Sequence, residues 1–322
     1  MTQPPENDEF RVVTWKVEHN GISNNGDDAR WHLAMDVLAT LQPHVLLRQE
    51  LTRADMFGGR AIWAESARLG GHAAFLASAN PESANPTGAY VDRDLCRPAQ
   101  YFEHRTGMWH SVCNPVVRLK GTARTLSLAS VHLCPFDPAM RASEARRLAT
   151  LGRPGVAAIV GGDMNSYSHR LGSGPALPDW SQITDRAHFE ARTIERNGKR
   201  ISDTLPDEIL SGEHGGRPPV FVELGHYAAT ELGLQGALEP TASLWRTDQG
   251  PRQRIDRFYA TPQVARALTG LEVVVTEEVI EASDHPPVLA TFSLSALRRA
   301  LSADPALAPA ASPWNTTERN GS

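Results

Sequence analysis

Val156-Ala157-Ala158-Ile159-Val160-Gly161-Gly162-Asp163-Met164-Asn165-Ser166 is the stretch on which the reading of this chain turns. Val156 to Val160 is a short apolar run rich in β-branched side chains, and a glycine pair bounds it. That pattern predicts a buried strand running into a tight turn. Asp163 and Asn165 follow on either side of Met164. Strand alternation aims the two polar side chains the same way and turns Met164 back into the core. A carboxylate beside a carboxamide at a strand's end suits the alignment of water against a phosphate oxygen. The plainer alternative is an Asx-type turn after a strand, with glycine supplying backbone freedom.

Working outward, other predicted strands also end in polar groups. Phe10 to Trp15 (FRVVTW) empties into Lys16, Glu18, His19, Asn20 and Gly21. His44 to Leu47 ends in Arg48, Gln49 and Glu50. Leu126 to Leu133 (LSLASVHL) delivers His132 near its end. In Arg252 to Ala260 (RQRIDRFYA), alternation puts Arg254 and Asp256 on one face, and Ser283-Asp284-His285-Pro286 precedes a last apolar strand, Val288 to Leu294. Between the strands run helical patterns. Asp27 and Asp28 can cap DDARWHLAMDVLATLQ, in which Trp31, Met35 and Leu38 recur at helical spacing. Asp55 to Leu69 forms another helix. Asp137-Pro138 opens one with a cap and a first-turn proline, Arg141, Arg146 and Arg147 lying on its polar face. Thr261-Pro262 opens a short helix that Gly270 ends, and Leu271 to Glu281 is expected as a strand.

At 322 residues the chain suits one large α/β domain or two small ones, and its composition, 41% hydrophobic and 21% charged, is ordinary for a soluble protein. A net charge of −5 argues against non-specific coating of nucleic acid. Three cysteines without Cys-x-x-Cys spacing suggest buried thiols in a reducing compartment. No apolar run approaches bilayer length and MTQPPENDEF is not a signal peptide, so a cytoplasmic protein with no membrane span and no obligate protein partner is expected. Residues 1–9 read as a loose tail, 10–294 as one domain with two packed β-sheets and outer helices, and 302–322 as a disordered Ala/Pro/Ser-rich tail. Residues 168–248, rich in Gly, Pro and charge, read as excursions on one rim where substrate choice is made.

Taken in order, TWKVEHNG, LLRQE, SVHL, GGDMN, RIDRFY and ASDHPPV resemble the motifs of the endonuclease/exonuclease/phosphatase superfamily, from about Phe10 to Leu294. The resemblance implies an α/β, four-layer α/β/β/α sandwich of two mixed sheets, and a metal-dependent phosphoesterase, more a phosphodiesterase or nuclease than a monoesterase. It implies Mg2+, with Mn2+ as the alternative, held by Glu50 with Asp284 in support. Asp163 would align or deprotonate water and Asn165 would bond the scissile phosphate. His285 would be oriented by Asp256, and His132 would be a second donor or a general acid. The implied partner is a phosphodiester, nucleic acid among the candidates. Two departures stand out. His44 stands where the family commonly has Asp. Lys16 stands where the family has Asn directly after Trp, and lysine offers only donors and a positive charge. Lys16 could pair with Glu50 and weaken magnesium, or replace part of the cation's charge at the phosphate, while Asn20 could supply the missing carboxamide. The alternative reading is a catalytically impaired, phosphate- or nucleic-acid-binding member.

Overall fold

The computed structural model describes residues 8–170, 172, 174–245 and 251–302. The expected tails therefore fall largely outside the described residues, as does the end of the 168–248 stretch. Asp8 and Glu9 do not belong to a loose tail. Glu9 starts the first strand, and the Asp8 carboxylate accepts bonds from the Ser295 amide (2.7 Å) and the Ser293 hydroxyl (2.8 Å).

In chain order the strands of the first half are β1 (Glu9–Lys16), β2 (Val45–Gln49), β3 (Ala73–Leu76), β4 (Gly88–Val91), β5 (Cys96–His104), β6 (Val112–Leu119) and β7 (Leu126–His132). The second half holds β8 (Ala157–Asp163), β9 (Thr193–Arg196), β10 (Lys199–Ser202), β11 (Val222–Glu223), β12 (Asp256–Ala260), β13 (Leu268–Val273) and β14 (Val288–Ser293). Among the described residues, the α-helices are α1 (Ala29–Leu41), α2 (Met56–Arg68), α3 (Pro138–Ala149), α4 (Arg186–Arg192) and α5 (Leu205–Ser211). They continue as α6 (Leu224–Glu231), α7 (Pro262–Ala265), α8 (Glu277–Ala282) and α9 (Leu294–Ser302).

Two six-stranded sheets result, ordered β13-β14-β1-β2-β4-β3 and β11-β12-β8-β7-β6-β5. Each is mixed, with one parallel pair (β1 with β2, β7 with β8) among antiparallel neighbours. Alternation along the strands explains the layers. Phe10, Val12, Leu47, Ile159 and Phe258 fill the space between the sheets. Val13, Trp15 and Leu46 face outward, under a layer containing α1 and α8, while Ala158 and Val160 face the layer containing α3 and α5. This is the expected α/β/β/α sandwich. No helix among the described residues is long and apolar enough to cross a membrane.

The second half departs from the sequence expectation in several places. The strand expected over 271–281 stops at Val273, and α8 follows. Its start is capped by the Thr276 hydroxyl on the Val279 amide (3.3 Å), with Glu277 and Glu278 in the first turn. Gly270 lies inside β13 at an irregularity in register rather than ending a helix. The 252–260 strand is regular only from Asp256. Within 168–248, α5 packs on α3 and α6 packs on β12 and β13, so only part of that stretch borders the site. Arg141 is fully buried, not on a polar face; its guanidinium meets Asp203 at 2.9 Å.

At the centre, Gly162 sits opposite Val131 in the parallel β7–β8 pair with φ +149°, and a Cβ there would lie 1.8 Å from the Val131 carbonyl oxygen. No side chain fits without parting the strands. Gly162→Ala is therefore expected to destabilise the fold by at least about 3 kcal/mol, read as a lower denaturation midpoint. An unchanged midpoint would show that the two strands separate here without loss.

Candidate active site

Register brings the polar strand ends together. His132, Asp163 and Asp256 lie side by side in one row across β7, β8 and β12. In the facing sheet Lys16 ends β1 opposite Gln49 of β2, and the next residue, Glu50, turns away at φ +57°. A positive φ on a glutamate is uncommon and strained. The chain enters β14 beside the end of β1, which brings Asp284 and His285 to the same end of the sandwich.

The charged groups are buried, and each has partners. The Lys16 ammonium lies 3.4 Å from Glu50 Oε1 and 3.5 Å from Asp284 Oδ1, and the residue is 7% exposed. Burial opposes its charge, yet Glu50 and Asp284, with Asp163 and Asp256 behind them, outweigh burial and raise its pKa above the ordinary lysine value. Burial likewise opposes the charge on Glu50, but Lys16, His132 and the His19 amide (3.0 Å from Oε2) hold the carboxyl at about 2. Asp284 is lowered against burial by His285 and Lys16. His285 Nδ1 bonds Asp256 Oδ2 at 2.7 Å; burial disfavours the imidazolium, but the Asp256 carboxylate prevails and raises the histidine's pKa. The Trp15 indole donates to the His285 carbonyl (2.8 Å), and the Ser283 hydroxyl donates to the Lys16 carbonyl (2.9 Å), so these loops are tied to β1.

The central stretch forms an Asx-type turn, and both of its polar side chains border the cavity. The Asn165 amide donates to Asp163 Oδ1 (2.9 Å), an Asx-type turn, and Asn165 has φ +49° rather than continuing the strand. Its carboxamide uses one N–H on the Leu133 carbonyl (2.8 Å) and still borders the cavity, while Met164 is fully buried as expected.

Lys16, Glu50, His132, Asp163, Asn165, Asp284 and His285 all border one cavity of about 410 Å³, and Asp256 stands behind His285. Asn20 is not among them. Its Oδ1 accepts from the Arg48 guanidinium at 2.9 Å, and Arg48 also pairs with Glu65 at 2.7 Å, so Asn20 supplies no carboxamide to the site. His44 belongs to a different cavity and accepts the Arg11 amide at 2.9 Å. His132 is near Asp163 (3.5 Å), but burial above all, opposed by Glu50 and reinforced by Lys16, His285 and Arg192, takes its pKa to about 3. It is a neutral imidazole near pH 7, which suits a hydrogen-bond donor and not a charged general acid.

Other residues join from parts of the chain with no legible pattern. The Arg192 guanidinium donates to the Asn165 carbonyl (2.7 Å) at the cavity edge. Buried Arg141 steadies that edge by bonding the carbonyls of Ala191 and Cys134 (the latter at 2.8 Å). His110 stacks on His132 with centroids 4.1 Å apart, and Trp109 meets half-exposed Phe136 edge-on at 4.6 Å. Glu144 of α3 accepts the amides of Trp109 (2.6 Å) and Cys134 (2.8 Å), joining both loops to one helix.

Asp163, Asp256 and His285 bring possible ligand atoms within 4.8 Å of one another, but there His285 is already bonded to Asp256 and held toward its charged form. Glu50 and Asp284 are hard oxygen donors of the right type. Lys16, however, bridges both, and the oxygen that an asparagine would offer at its position is missing. With Lys16 charged and in place, these residues do not fit a metal between Glu50 and Asp284.

No protein-family model matches the sequence, and no curated protein sequence matches it significantly. Solved structures do match. Zebrafish (D. rerio) TDP2 complexed with a single-strand DNA product superimposes with a TM-score of 0.59 at 16% identity, over 89% of this chain and 99% of that one. An endonuclease/exonuclease/phosphatase from Bacteroides vulgatus gives 0.61 at 13% identity, over 88% and 98%. ANGEL2, described as a 2',3'-cyclic phosphatase, gives 0.54 at 13% identity, over 89% and 95%. Together with the two mixed sheets and their flanking helices, these matches show that the chain has the endonuclease/exonuclease/phosphatase fold.

Proposed function

We propose that the chain is a phosphoesterase that hydrolyses a phosphate ester by in-line attack of water. The observation that carries this reading is the meeting of Asp163, Asn165 and the His285–Asp256 pair at one cavity with a buried ammonium. In the proposed step Asp163 orients the water and takes its proton as the new P–O bond forms. The ester P–O bond breaks on the opposite side, and the leaving oxygen collects a proton from solvent. The Asn165 carboxamide, the His285 imidazolium and neutral His132 donate to the phosphoryl oxygens, where charge grows in the transition state. The fold usually works with a divalent metal, and Mg2+ or Mn2+ is the ion that the sequence resemblance implies.

A small or single-stranded phosphodiester is favoured over a bulky duplex because the cavity, at about 410 Å³, suits one nucleotide-sized group. Trp109 at its wall offers a face on which a base can stack. TDP2 was solved with a single-strand DNA product and ANGEL2 is described as a 2',3'-cyclic phosphatase, so single-stranded ends and small diesters are the substrate classes to try first. A second reading, phosphate binding without turnover, draws on Lys16, since one ammonium carries half the charge of a divalent ion.

A panel of bis-p-nitrophenyl phosphate, a nucleoside 2',3'-cyclic phosphate and a single-stranded oligonucleotide, each with and without Mg2+, is expected to reveal turnover. Asp163→Ala should lower kcat roughly 100-fold or more; turnover untouched by that change would remove Asp163 from the mechanism. Because His285 is active as the imidazolium, its contribution is present below its raised pKa and lost as pH climbs through it. Asp256→Asn removes the charge that raises that pKa, so the alkaline limb of the kcat profile should move to lower pH. A limb that stays in place would assign it to another group.

A further inference from the structure

We propose that the Lys16 ammonium is the resident cation of this site, holding the place between Glu50 and Asp284 and contacting the substrate's phosphoryl oxygen directly, so that phosphate binds without a divalent ion. The inference rests on the phosphoesterase reading for its substrate but not for its geometry. Glu50 and Asp284 each present one oxygen to the same ammonium, at 3.4 and 3.5 Å. An ammonium has three donors. Asp284 accepts from one, Glu50 pairs with the ammonium by charge, and Lys16 borders the cavity that Asn165 and His285 also border, where a remaining donor can meet an anion. A divalent ion bound to both oxygens would sit beside a buried like charge, with the lysine stem, itself nearly covered, blocking an easy exit. Two features fix the backbone from which the side chain starts. Its backbone is paired with Gln49 in the sheet, and its carbonyl is held by the Ser283 hydroxyl at 2.9 Å. Asn20, the carboxamide expected to restore the lost oxygen, is engaged by Arg48 instead.

The test counts Mn2+ ions by electron paramagnetic resonance and, separately, measures binding of inorganic phosphate by calorimetry in EDTA. Wild type is expected to show no Mn2+ site that Glu50→Gln abolishes, and to bind phosphate in EDTA. Lys16→Asn, with Lys16→Gln as the second variant should the first misfold, is expected to gain one Mn2+ site that disappears when Glu50→Gln is added. In EDTA either variant should bind phosphate at least about tenfold more weakly, and Mn2+ should restore it. A Mn2+ site in wild type that Glu50→Gln removes would overturn the proposal. So would folded Lys16 variants that gain no site, or that bind phosphate in EDTA as well as wild type does. The two readings fail separately: absence of turnover with this Mn2+ pattern would sink the esterase and leave the role of Lys16 intact, whereas ester turnover with a Glu50-dependent Mn2+ site in wild type would do the reverse.

Discussion

The ion triplet of Lys16, Glu50 and Asp284 is the constraint to which the rest of the site conforms. Three charges are withdrawn from water at the end of a sheet, and burying any one alone would cost several kcal/mol. Both carboxylates therefore depend on the ammonium, and the ammonium on both of them. Glu50 keeps a strained backbone, φ +57°, to reach the ammonium while the His19 amide satisfies its other oxygen. Asp284 is delivered by a loop held to β1 through Ser283 and through the Trp15–His285 bond. The same loop sets His285 against Asp256 of the opposite sheet, so one charge cluster joins both halves of the sandwich at their open end.

The second sheet contributes geometry as well as charge, through Asp163 and Asp256. The row His132, Asp163, Asp256 is a consequence of register alone, and register here depends on Gly162, whose lack of a side chain lets β7 and β8 close. A slip of one residue would turn Asp163 into the core and bring a glycine to the cavity. Outside this sheet, α3 does more than cover it. Its buried Arg141 and Glu144 reach past the helix to the end of α4, which carries Arg192, and to the loops that carry Cys134 and Trp109.

Much of this was legible in the sequence because the strands announce themselves by local pattern and each functional group sits at or just beyond a strand's end. Asp163, His285 and Glu50 need no more than the positions of Val160, Val288 and Leu47 to be placed. What was hidden depends on contacts between distant segments. Arg192 and Arg141 look like solvated charges until α4 is folded against Asn165, and His110 is unremarkable until it lies on His132. Asn20 looked available because Arg48, 28 residues away, leaves no local trace of its demand for an acceptor. The 271–281 stretch is rich in β-branched residues like a strand, and only the Thr276 cap reveals where it becomes helical.

The chemical expectation that changed most is the cation. Motif order pointed to magnesium on Glu50 and Asp284, and the structure places an ammonium against both oxygens instead. The most direct measurement is anomalous diffraction from crystals of the wild-type chain soaked in MnCl2. The account predicts no anomalous peak between Glu50 and Asp284, with density for the Lys16 ammonium within reach of both carboxylates. A manganese peak there, with Lys16 swung away, would contradict it.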